Sequence, residues 1–251
     1  DWMPVIAQYY NRAFGMKYDE RYWRIVVGEW YWRFIQIIYD RYICLNNALE
    51  AYPDIVVDVV DKRDMWVPGS YLESMRAAAW DEYNWQLYSQ LIRLSGCQFR
   101  EKRLRRFKWN KDNLIIFMRE VKERGRRLIQ KIGSLNRLPS GPLVFCQTAL
   151  SGPDEKQLMK TFGMNASKIT FQRGGKKFSP DPNLRVLSHM LPAEDEFQKI
   201  AVMLLDDNIP TELLEGFPYY RHKVLSIITS YPDVIVTAVG WRLESMPAIY
   251  I

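Results

Sequence analysis

Arg24, Arg33, Asp40 and Arg41 are charges set into an apolar, aromatic stretch, RYWRIVVGEWYWRFIQIIYDRYICLNN over residues 21–47. An arginine in such a place either pairs with a carboxylate on its own helix, or turns into a cleft and holds a phosphate or carboxylate with its planar fork. Glu20 stands four residues before Arg24 and Glu29 four before Arg33, the favourable order for intrahelical ion pairs. The pairing account is the plainer one, and Arg24 and Arg41 are the candidates for anion binding. Asp81, Glu82 and Asn84 open a second aromatic stretch, DEYNWQLYSQ. Two acids offer a proton donor and acceptor, but adjacent helix positions face different ways and form no dyad. His189 follows a short predicted strand, LRVLS, and so falls where open α/β sheets bind ligands. The acids after it, Glu194 to Glu196, also suit a helix N-terminus. The substrate-binding candidates are therefore Arg24, Arg41, Asp81, Asn84 and His189; no residue stands out as catalytic.

Other chemistries find little to work with. Two histidines (His189, His222) and three scattered cysteines (Cys44, Cys97, Cys146) make no metal-ligand spacing, so neither a metal nor a cofactor is expected. The odd cysteine number argues against a disulfide framework and for a reducing compartment, with the thiols as small buried apolar groups. The turn Thr148–Glu155 joins a strand to a helix start, but Asp154 and Glu155 already occupy the positive helix end and Pro153 lacks an N–H, so capping is expected rather than phosphate binding. Arg173–Lys177 matches neither glycine-rich phosphate motif.

The net charge of +6 is concentrated: residues 100–137 hold fourteen Lys and Arg against four acids. Such a stretch can meet nucleic acid, acidic headgroups or phosphates, yet a solvated loop and helix face is the simpler account. Only Phe107 and Trp109 are interleaved for stacking.

The elements that must position these groups fall into two textures. Val5–Phe14 reads as a helix, and Asp19 caps a long one to about Asn47, apolar nearly all round and hence central. A close crossing would explain Gly28 inside it. A β-branched strand, Ile55–Val60, follows, and Ser70–Glu73 is a capping box opening a helix that runs with one break to Leu94. Gly96–Asp112 is expected to be loop and Leu114–Ile132 helix, with a boundary at residues 133–142. Beyond it strands (143–147, 168–172, 184–188, 233–238) alternate with helices (153–162, 194–205, 211–229, 242 onward), which argues for a parallel sheet with flanking helices. No apolar run approaches the roughly 20 residues that span a bilayer.

The segments RYWRIVVGEW (21–30), Phe34–Tyr42, Trp80–Tyr88 and Ile209–Phe217 with the strand after it resemble a family of transferases encoded among bacterial surface-polysaccharide, O-antigen-type genes. That resemblance implies a two-domain, GT-B-like enzyme acting on a nucleotide-activated sugar and a carbohydrate acceptor. It also implies a nucleotide-binding domain beyond Ile251 and a first strand before Asp1. The expected fold is α/β, a parallel sheet with flanking helices and a large aromatic-rich helical N-terminal region. Residues 1–135 form that region and residues 136–251 a Rossmann-like one. The expected function is the acceptor-side part of a glycosyltransferase-like enzyme of cell-surface carbohydrate biosynthesis, cytoplasmic or peripheral at the inner membrane face. The alternative is a non-catalytic helical module binding nucleic acid or acidic membrane through residues 100–137.

Overall fold

The computed structural model describes residues 1–103, 143–146, 148, 150–162, 166–169, 176–226 and 232–237. Helix α1 (Met3–Phe14) ends at Gly15, whose left-handed φ of 62° lets Met16 N–H reach Asn11 O at 2.8 Å. Asn11 then fastens the turn: it donates to Tyr18 O (2.7 Å) and accepts from Tyr18 N and Trp23 Nε1 (3.0 Å each). Asp19 caps α2 (Glu20–Trp23), accepting from Tyr22 N at 2.8 Å. A π-helical turn, Arg24–Gly28, leads without a break into α3 (Glu29–Ala51).

This long helix is central but not buried all round. Trp23, Val26, Val27, Trp30, Tyr31, Phe34, Ile38 and Leu45 form its buried face, while Trp32, Tyr39 and Ile43 lie on the solvent side. The aromatics exceed what one face can hold. Gly28 is not needed for a tight crossing either, since a methyl there would meet Arg24 Cβ and the Met3 sulfur, each at an ordinary 3.7 Å. The glycine instead closes the wide turn. Cys44, expected buried, is exposed on this helix; Cys97 is half-buried and Cys146 buried, and no disulfide joins them.

Strand β1 (Val57–Val60) is shorter than expected, Ile55 and Val56 being exposed. A 3₁₀ turn (Lys62–Asp64) follows, then α4 (Tyr71–Ala77), capped by Ser70, and α5 (Asp81–Leu94). Part of the expected loop after Gly96 is a strand, β2 (Phe99–Lys102), parallel to β1 with Val57 opposite Phe99 and Val60 opposite Lys102. Its high charge hid it. Asp58 on β1 pairs with both Arg100 (3.3 Å) and Lys102 across the ladder, so the basic side chains are partnered without being buried. The remainder of residues 104–142, including the expected helix 114–132 and the boundary at 133–142, lies outside the described residues.

Strands β3 (Leu143–Cys146), β4 (Ala166–Ile169) and β5 (Val234–Thr237) form a second parallel sheet in the order β4-β3-β5. Helix α6 (Gly152–Thr161) makes the β3-to-β4 crossover. The molecule is thus α/β with flanking helices, its parallel pairing divided between two small sheets. The expected turn at 173–175 and helix after Arg242 fall outside the described residues.

The predicted strand LRVLS does not form; residues 187–189 are a 3₁₀ turn. Its backbone is claimed elsewhere: Asp206 accepts from Leu187 N (3.0 Å), Ser188 N (3.1 Å) and the Ser188 hydroxyl. Asp206 sits on α7 (Glu196–Asn208), which packs against α3 and α5. Asn208 at its end donates to Gln90 Oε1 (3.0 Å) and accepts from Tyr83 Oη (3.1 Å). Helix α8 (Phe217–Leu225) completes the aromatic core, Phe217 lying against Phe14 and Trp23 at ring separations of 4.9 and 5.1 Å.

Candidate functional site

Among the described residues, a dense charged constellation lies where β1 and β2 end. Asp61 follows β1 directly, and its N–H extends the ladder to Lys102 O at 2.9 Å. Its carboxylate accepts from Arg63 N (2.9 Å), Nε (3.0 Å) and Nη2 (2.5 Å). The Asp61 side chain is 8% exposed and that of Arg63 73%. A second sunken acid under an exposed arginine lies beside it: Asp64, 14% exposed, takes Arg103 Nε at 2.8 Å, and Arg103 is 59% exposed. Behind them the inward-facing Arg93 donates to Val60 O (2.7 Å) and Glu101 Oε1 (2.8 Å). Carboxyl ends of parallel strands are where α/β sheets bind ligands, and here that edge presents two guanidinium groups on sunken carboxylates.

The side-chain and backbone hydrogen bonds from Arg63 hold the Asp61 carboxyl well below the usual carboxylate range. A carboxyl depressed in the folded state contributes stability that is present above its unfolded pKa, near 4, and lost as pH falls toward the folded value. Asp61→Asn is therefore expected to flatten the acid limb of the stability curve below about pH 4 while leaving its shape at pH 6–8 unchanged. Urea midpoints between pH 2 and 7 check this; an acid limb as steep as the parent's would remove Asp61 from that role. On helix α7, burial and the neighbouring Asp206 push Asp207 up, with Arg185 and Lys62 opposing.

The second sheet has a topological switch at β3: the chain passes from β3 to β4 on one side and returns as β5 on the other. Thr148, just past β3, and Lys168 on β4 both hold the Glu155 carboxylate, which is buried. Burial pushes that carboxyl up, but Lys168 and Thr148 more than offset it and it ends lowered. Ser151 caps α6 through Asp154 N, as expected, whereas Glu155 turns away from the helix end to tie β3, α6 and β4 together.

Of the five candidates read from the sequence, the structure brings two together. Arg41 Nε and Nη2 both reach Asn84 Oδ1 (3.1 and 2.9 Å), Nη2 also meets Ala78 O (3.3 Å), and Nη1 pairs with Asp40 (2.8 Å). Asn84 Nδ2 in turn donates to Ala78 O and Trp80 O, each at 3.0 Å. This latch joins α3 to the α4–α5 corner. Asp81 lies exposed in the first turn of α5 nearby. Arg24 is about 25 Å away along the helix, paired with Glu20 (2.5 Å) and with Asp1. His189, on its 3₁₀ turn rather than at a strand end, is exposed and opens on a shallow cleft of about 410 Å³ with Ser188, Leu191, Lys199 and Met203.

These residues lie within a match to one protein-family model that runs the length of the chain: residues 1–251 match the model described as LIC12162 family transferase. The chain belongs to the LIC12162 family of transferases. No curated protein and no solved structure matches it. For this LIC12162 family member, sequence reasoning missed the group Asp61, Arg63, Asp64 and Arg103. A signal was present: the charged quartet DKRD stands directly after the β-branched run IVVDVV, where a strand must end. What could not be read was the partner strand that brings Arg103 beside it. Among the described residues, no helix is long and apolar enough to cross a membrane, and no group of three His, Cys, Asp or Glu could hold a metal ion.

Proposed function

We propose that this chain is the acceptor-side part of a glycosyltransferase-like enzyme of cell-surface carbohydrate biosynthesis, acting on a nucleotide-activated sugar with a GT-B-like partner domain. The observation that carries the reading is the transferase family match along residues 1–251. Two features agree with it: the parallel sheet that switches direction at β3, and the cationic carboxyl edge of the β1–β2 sheet. Group transfer from an activated sugar needs a cationic hold on the phosphates, which become the leaving group, and a placed acceptor hydroxyl. The guanidinium groups suit the first need; Arg41, Asn84 and Asp81 at the α3–α5 corner, or His189 at its cleft, are candidates for the second.

The test is release of nucleoside diphosphate by the full-length protein, presented with a panel of sugar nucleotides and a cell-surface glycan extract. Turnover with one donor is expected, and it should persist at moderate salt. Absence of both turnover and donor binding across the panel would overturn the reading. A steep loss of binding to anionic polymer with salt would point instead to docking through the basic segment.

A further inference from the structure

We infer that the carboxyl edge of the β1–β2 sheet is a binding site for a phosphorylated ligand, with Arg63 and Arg103 as its two guanidinium forks. This deepens the proposed transfer reading, on which it rests for the expectation of a phosphorylated ligand, by naming the residues that hold the phosphate.

In an ordinary surface ion pair both partners wave in solvent, and neither is fixed. Here the carboxylates are sunk and the arginines are out: 8% exposure for Asp61 against 73% for Arg63, and 14% for Asp64 against 59% for Arg103. Asp61 engages Arg63 along its Nε–Nη2 side. A guanidinium carries five N–H groups in a fixed fork, so this side-on grip leaves the Nη1 end facing away from the carboxylate. That end matches two phosphate oxygens. Arg103 is held by Asp64 at its Nε.

The two pairs adjoin: Asp61 N–H bonds Lys102 O at 2.9 Å, which sets Arg103 beside the 61–64 turn. They therefore form one patch rather than two separate pairs. Lys62, Arg63, Arg93 and Arg103 stand against Asp61, Asp64 and Glu101, which leaves one net positive charge, so an incoming phosphate meets attraction while the carboxylates hold the forks in place. Holding a fork before the ligand arrives reduces the ordering cost of binding. The backbone adds position: Asp61 N–H belongs to the ladder, so the site is referenced to a strand end and not to a free loop.

The test is calorimetric titration of the 251-residue chain with pyrophosphate, glucose 1-phosphate and uridine diphosphate. Saturable pyrophosphate binding is expected, weakened about tenfold by Arg63→Gln or Arg103→Gln. Arg100→Gln, on the same strand but paired with Asp58, should bind as the parent does. Arg63→Lys keeps the charge and loses the fork, and should also bind more weakly. Urea midpoints of each variant confirm that the sheet is intact. Equal weakening by all four substitutions, or none by Arg63→Gln and Arg103→Gln, would overturn the site. Tighter binding of uridine diphosphate than of pyrophosphate would assign the phosphate to a nucleotide, and tighter glucose 1-phosphate binding to a sugar phosphate; either supports the site. Pyrophosphate binding by this chain, with neither turnover nor donor binding by the full-length protein across the sugar-nucleotide panel, would sink the glycosyl-transfer reading and leave this one standing.

Discussion

Replacing Arg185 by Met is expected to lower the unfolding free energy by about 3–5 kcal/mol. Arg185 and Glu215 form a two-point ion pair, Nε to Oε1 at 2.8 Å and Nη2 to Oε2 at 2.9 Å, with both side chains at least nine-tenths buried (8% and 7% exposed). The guanidinium also donates to Asp206 O and Ile209 O, and Glu215 accepts from Asp181 N at 2.9 Å. One side chain therefore ties the 181–190 loop to the end of α7 and to the turn before α8. Methionine fills similar volume but leaves Glu215 as a buried charge without its partner, and uncovers two carbonyls. Removing both ends, Arg185→Met with Glu215→Leu, should recover much of the loss, because the cost lies mainly in the orphaned charge. Urea unfolding with an unchanged m-value measures it. A single variant within 1 kcal/mol of the parent would show that the pair is solvated.

Trp23→Ala should cost about 3–5 kcal/mol. The ring is fully buried and is the point where three separate stretches meet. It stacks on Tyr10 of α1 at 4.8 Å, lies against Phe217 of α8 at 5.1 Å, and meets Tyr18 and Tyr22 nearly edge-on. Its indole N–H donates to Asn11 Oδ1, the atom that also accepts from Tyr18 N. Truncation thus removes a large packed volume and loosens the α1–α2 turn. Trp32→Ala, on the solvent face of the same helix, should stay within about 0.5 kcal/mol of the parent. Equal midpoints for the two variants would mean that burial does not distinguish them.

That contrast also shows what was legible in the sequence. The local signals were plain: the Asp19 and Ser70 caps, the break between α4 and α5, the crossover helix opened by Pro153, the strand 234–237. Each depends on neighbours a few residues away. Which face of the aromatic helix is wet was not legible, because Trp23 and Trp32 look alike until α1 and α8 are in place. LRVLS has a strand's composition, yet Asp206, some twenty residues on, takes its N–H groups. FREK has no strand composition, yet Asp58, some forty residues back, makes it one. For the candidate site the same holds: Arg41 and Asn84 were singled out separately and proved to be partners, while the Asp61–Arg103 group needed the β1–β2 pairing to exist at all.

The strand pairing has a kinetic consequence. Every described ladder is parallel, so none closes through a hairpin: Val57 meets Phe99, Leu143 meets Ala166, and Leu143 meets Val234. The shortest of these loops passes through a whole crossover helix, and the longest waits for chain made some ninety residues later. Loop-closure entropy must be met before such contacts return anything, so assembly of the sheets should be slow compared with the local helices α1 to α3. During synthesis the nascent chain would carry the first strand, VDVV, unpaired until β2 emerges, and LVFC unpaired until α6 has turned back. The Asp58 carboxylate in the middle of the first strand then has a second use, as a charge that discourages that waiting edge from pairing with another chain.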